Sequence, residues 1–105
     1  MAQLYESPVV SVGLHMRGPT EVLVARGRLE GAAVVALEVQ VEQLNCNGCV
    51  DVVLDAASLV GIDRNGVRTL RRLERRLAAC GGRLTVLGAA PTIRRALDAE
   101  GVGRG

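Results

Sequence analysis

The feature that most constrains this chain is a change of period inside one stretch, Asp51 to Cys80, reading DVVLDAASLVGIDRNGVRTLRRLERRLAAC. Its first part holds an apolar run, Val52-Val53-Leu54, between Asp51 and Asp55. A second apolar patch, Leu59-Val60-Gly61-Ile62, stops at Asp63. Beyond it Val67, Leu70, Leu73 and Leu77 recur at three- and four-residue steps, with six arginines on the remaining turns. A buried strand, a short return segment, a loop and a long amphipathic helix make half of a βαβ unit. The functional loop of such a unit usually leaves the carboxyl end of the strand. Here that loop is read as Gly61-Ile62-Asp63-Arg64-Asn65-Gly66.

The 105 residues provide one domain with one core. With 49% apolar residues the chain can bury enough surface to fold. Tyr5 is the only aromatic, so the core must be built from Val, Leu, Ile and Ala, and little is left to stack nucleobases or sugars on. No apolar run approaches the roughly 20 residues that span a bilayer, and no basic segment followed by an apolar one marks a secretory signal. A cytoplasmic protein without a membrane partner is expected. All 13 basic residues are arginine, and the net charge is only +2. The absence of lysine excludes a phosphate-loop nucleotide site and Schiff-base chemistry.

Taken in order, residues 1 to 8 form a lead-in that Pro8 closes. Val9 to Met16 reads as a strand, Gly18-Pro19-Thr20 as a turn, and Glu21 to Gly27 as a second strand, together an antiparallel hairpin. Gly27-Arg28-Leu29-Glu30-Gly31 breaks that strand. Ala32 to Leu44 reads as a helix on length and connectivity, although Val39-Gln40-Val41-Glu42 also alternates like a strand. Asn45 to Cys49 is a loop, and Val50 to Leu54 the third strand. Asp63 caps a helix running to about Ala79, which Gly81-Gly82 ends. Arg83 to Gly88 is the fourth strand. Pro91 opens a last helix to Ala99, and residues 101 to 105 fray. The order β-β-α-β-α-β-α defines an α/β domain. Right-handed crossovers give a four-stranded mixed sheet, with strands 2 to 4 parallel, strand 1 antiparallel at the edge, and three main helices.

Several residues now form a pattern. Val52-Val53-Leu54-Asp55, Ile62-Asp63-x-x-Gly66, the Leu-rich helix and Gly82-Arg83-Leu84 resemble the STAS domain of anti-sigma factor antagonists. Gly27-Arg28-Leu29-Glu30 resembles the family's Gly-x-Leu-Asp after the second strand, and Pro91 to Leu97 its final helix. The resemblance covers residues 9 to 102. It implies a small domain without cofactor that binds an anti-sigma factor, an ATPase-type serine kinase, and thereby releases a sigma factor. In that family the kinase phosphorylates a serine in the loop before the second long helix, and the modified protein lets go. A dianion at a protein contact adds desolvation cost and repulsion unless the partner offers cations.

The chain departs from the family at the switch. The usual Asp-Ser-Ser-Gly is here Asp63-Arg64-Asn65-Gly66, and Asn65 has no hydroxyl to phosphorylate. The nearest hydroxyls are Ser58, before the loop, and Thr69, more than a turn into the helix. The resemblance thus implies an antagonist that the usual phosphorylation cannot turn off at position 65. The partner-binding surface is expected to comprise Ser58, Gly61, Asp63, Arg64, Asn65, Gly66, Arg68 and Thr69. Asp63 would fix the loop, Asn65 and Gly66 would admit the partner's backbone, and Arg64 and Arg68 would add charge complementarity.

Other features carry competing readings. Cys46, Cys49 and Cys80 are expected at one end of the domain. They are read as unpaired thiols, as a redox-sensitive disulfide, or, with His15, as a zinc site. The arginines of the second helix read either as a solvated face balanced by acids or as a contact for an acidic partner. The charge balance and missing aromatics speak against direct nucleic-acid binding. Asp55 after an apolar strand also suggests a phosphotransfer receiver, but such domains require a lysine and an early acidic pair that this chain lacks. A Ser-His-Asp set, paired helical carboxylates and a glycine-rich dinucleotide loop are all missing, so an enzyme is not expected. A scaffold or sensor subunit of a larger signalling assembly, with the thiols as input, is the alternative. A monomer or weak homodimer is expected.

Overall fold

The computed structural model describes residues 9–12, 20–46 and 51–102. Its elements are β1 (Val9–Val12), β2 (Thr20–Leu29), α1 (Ala32–Cys46), β3 (Asp51–Ile62), α2 (Arg64–Ala79), β4 (Arg83–Leu87) and α3 (Pro91–Ala99). They form one sheet in the order β1-β2-β3-β4. β2, β3 and β4 run parallel, and Val9–Val12 pairs antiparallel with Val22–Ala25. Because the parallel strands lie in sequence order, both right-handed crossovers deposit their helices on the same face of the sheet. Burial agrees with this. Leu23, Leu54, Leu84 and Val86 are buried beneath the helices, whereas Val22, Val53 and Thr85, one residue out of phase, are half-exposed.

The first correction concerns β3. It is one strand of 12 residues and not a five-residue strand followed by a return segment. It pairs with a β2 of 10 residues, which runs through Gly27 to Leu29 instead of breaking at Gly27. The two surplus residues sit in two register shifts: Val24↔Asp55 is followed by Arg26↔Ser58, and Gly27↔Leu59 by Arg28↔Gly61. Each shift puts an extra β3 residue opposite β2, as in a β-bulge. The first changes the phase of burial, from Val52, Leu54 and Ala56 to Leu59. The second throws Val60 outward, 73% exposed. Gly27, at φ 72°, carries β2 through this region in a conformation that side chains disfavour.

α1 is helical, as read from length and connectivity. Ala33, Val34, Leu37 and Val41 are buried, but Val35 and Val39 face outward. The outward valines are why the segment looks like a strand in sequence: they blur the helical period.

The ends of α2 and α3 share one device. After α2, Gly81 takes φ 84°, its amide donates to the Ala78 carbonyl, and the Gly82 amide donates to the Leu77 carbonyl. After α3, Gly101 takes φ 72°, its amide reaches the Asp98 carbonyl, and the Val102 amide reaches the Leu97 carbonyl. Both are Schellman closures. The second corrects the expected fraying at residues 101 and 102, the rest of that stretch lying outside the described residues: Val102 is fully buried, supplying the apolar contact that accompanies the motif.

Candidate functional site: the amino end of α2

The segment expected to be a six-residue loop is almost entirely regular. Gly61 and Ile62 belong to β3, Arg64 to Gly66 belong to α2, and Asp63 alone lies between them. Asp63 is the N-cap, with extended φ/ψ of −93° and 174°, and its Oδ1 accepts the Gly66 amide hydrogen at 2.7 Å. A carboxylate at this position satisfies one amide that the helix leaves unpaired and complements the positive end of its dipole. The Asp63 amide in turn donates to the Leu29 carbonyl at 3.4 Å, tying the helix start to the end of β2.

Gly66 is set by this junction. A β-carbon there would stand 2.7 Å from the Leu29 carbonyl oxygen and 2.8 Å from Ile62 Cγ1. The glycine admits the chain's own backbone, not a partner's, and it is buried. Gly61 is tight for a milder reason: its β-carbon would lie 3.3 Å from the Arg28 guanidinium carbon, a flexible neighbour.

The expected contact residues divide accordingly. Arg64, Asn65 and Arg68 are exposed around the first turns of α2, while Gly61 and Asp63 are half-buried beside them. Thr69 is only 2% exposed and faces the core, so it offers neither a contact nor an accessible hydroxyl. Ser58 is exposed but sits five residues before Asp63 on β3, a rise of roughly 16 Å along an extended strand. Asp55 belongs to β3, and its Oδ1 accepts the Ala57 amide at 3.0 Å, a local bond of the kind expected for it.

Beside the exposed turn lies an open groove of about 240 Å³, lined by Ile62, Asp63, Arg64, Val67, Arg68, Ala96 and Glu100. Its α3 side, Ala96 and Glu100, could not be read from sequence, because no local pattern says which helix packs beside which.

The arginines of α2 fall into two groups. Arg72 pairs with Glu38 at 2.5 Å and Arg76 with Glu42, both on α1, and Arg71 pairs with Glu100 at 3.2 Å. Arg64, Arg68 and Arg75 have no ion-pair or hydrogen-bond partner among the described residues. The balanced-face reading therefore holds for Arg71, Arg72 and Arg76 but not for these three.

Cys80 is a free, exposed thiol at the C-cap of α2. His15, Cys49 and the side chain of Cys46 lie outside the described residues, as does the turn at 18–19. Among the described residues, no cluster of three or more His, Cys, Asp or Glu could hold a metal ion, and no helix is long and apolar enough to cross a membrane.

With this geometry in hand, the architecture can be placed: it is the STAS fold of the anti-sigma factor antagonists. The unphosphorylated form of the anti-sigma factor antagonist SpoIIAA superposes with a TM-score of 0.74 at 22% identity, covering 86% of this chain and 81% of that one. The phosphorylated form of the Bacillus cell fate determinant SpoIIAA gives 0.72 at 23%, covering 90% and 86%. An anti-sigma factor antagonist from Mycobacterium paratuberculosis gives 0.71 at 16%, covering 92% and 81%. At these identities the likeness is one of fold. No protein-family model and no curated protein sequence matches the chain.

Proposed function

We propose that this protein is an anti-sigma factor antagonist that docks on an ATPase-type anti-sigma factor through the amino end of α2 and releases a sigma factor. The observation that carries the reading is the position of Asn65. On a fold shared with such antagonists, it stands exposed in the first turn of α2, two residues after the capping Asp63. Its amide is small and neutral, like an unmodified serine, and cannot accept a phosphoryl group. The docking surface is therefore held in its binding-competent form. Gly61, Asp63, Arg64, Asn65 and Arg68 make up its centre, Gly66 holds the backbone beneath it, and Ser58 lies at its margin.

The direct test is to incubate the protein with ATP and the anti-sigma kinases of its own genome, then map phosphate by mass spectrometry. The expected result is a stable complex with residues 63–69 unmodified, while Asn65→Ser becomes phosphorylated at the new hydroxyl. Stoichiometric phosphate within residues 63–69 of the unaltered chain would overturn the reading, as would failure of every such kinase to bind.

A further inference from the structure

We propose that the groove between the first turns of α2 and the end of α3 receives an acidic segment of the partner protein, one apolar side chain on its floor and carboxylates on Arg64 and Arg68. The inference rests on the docking reading above and adds to it a second helix and the chemistry of the bound segment.

The charge balance at the groove is uneven. Of its two acids, Glu100 is paired with Arg71, which leaves the single carboxylate of Asp63, already accepting the Gly66 amide, against two arginines. Its two arginines have no partner among the described residues. They also stand where a helix tolerates them poorly. Arg64 occupies the first position of α2, at the positive end of the helix dipole, where only the capping Asp63 offsets it because the first turn itself contains no acid. Arg68 is four residues on, on the same side of the helix, where two like charges repel. A carboxylate seated between them relieves both conflicts, and the planar guanidinium can grip it with two parallel hydrogen bonds.

The floor is apolar, formed by Ile62, Val67 and Ala96. At about 240 Å³ the space is smaller than the roughly 300–1,000 Å³ of small-molecule sites, and suits a side chain from a larger surface. Nucleic acid fits less well, since the groove has no aromatic side chain on which a base could stack.

The test is a titration of the isotope-labelled full chain, followed by amide shifts in nuclear magnetic resonance. The probes are an acidic peptide (acetyl-EELLDE-amide), its neutral isostere (acetyl-QQLLNQ-amide) and a short single-stranded DNA. The acidic peptide should shift residues 62–68, Ala96 and Glu100, and bind at least tenfold more tightly than the isostere. Added salt should weaken it. Arg64→Glu with Arg68→Glu, or the milder Arg64→Gln with Arg68→Gln, should abolish the shifts while the rest of the spectrum stays folded. The proposal is overturned by equal binding of the neutral peptide, by shifts elsewhere or none at millimolar peptide, by tighter binding of the DNA, or by unchanged binding in both double variants. No anti-sigma factor enters this experiment, so it can fail while the Asn65 reading stands, and the reverse.

Discussion

The two ends of α2 are built on opposite principles. At the carboxyl half, Arg72 and Arg76 reach Glu38 and Glu42 on α1, a Schellman closure satisfies the last carbonyls, and the chain turns directly into β4. At the amino end, the cap and the glycine are as well fitted as anything at the other end, but the exposed side chains are not. Arg64 stands at the positive end of the dipole with only the capping Asp63 to offset it, Arg68 lies one turn on with the same charge, and neither has a partner among the described residues. The side-chain charges of α2 are thus matched within the chain at one end and left unmatched among the described residues at the other. The backbone of the amino end is fixed by contacts within the chain, through the Asp63 cap and the close approach of Gly66 to the Leu29 carbonyl.

The largest expected effect probes that close fit. Gly66→Ala forces a β-carbon against a backbone carbonyl, an atom that cannot swing aside as a side chain can. A loss of about 1–3 kcal/mol is expected from overpacking, measured by urea denaturation. A loss below 0.5 kcal/mol would mean that the junction of β2 and α2 is looser than described.

A smaller effect sharpens the contrast between the two ends. Arg76→Ala removes a surface ion pair and should cost about 0.2–1 kcal/mol. Arg64→Ala removes an unpartnered cation from the positive end of the dipole and should leave stability unchanged or raise it by about 0.3–1 kcal/mol. Thermal melts of the two variants at low salt give the comparison, and equal losses in both would erase it.

Much of this arrangement can be read in the sequence, and the exceptions have physical causes. The leucine spacing from Val67 to Leu77, Asp63 as cap and Pro91 at the start of α3 are local signals, and the structure agrees with each. β3 was harder. A bulge changes the alternation at Ala56-Ala57-Ser58, so one strand looks like two. Gly27 likewise looks like a strand end, although at positive φ it carries β2 onward. Thr69 appears in sequence as a polar residue near the loop, yet it is buried in the face that α2 turns to the core. For Gly66 the sequence suggests closeness to a partner; the structure puts its own Leu29 carbonyl there. The groove itself depends on α3 lying beside α2, a tertiary fact that no local period encodes.

The central claim is that Asn65 is the exposed point of a docking surface held in its neutral form. The most direct measurement is the affinity of Asn65→Asp for the anti-sigma kinase that binds the unaltered protein, taken together with its melting temperature. A carboxylate in the first turn of α2 favours the helix dipole, so the melting temperature should stay level or rise. Affinity should nevertheless fall at least tenfold, because the new charge must be desolvated at the contact. Unchanged affinity in a fully folded variant would contradict the account.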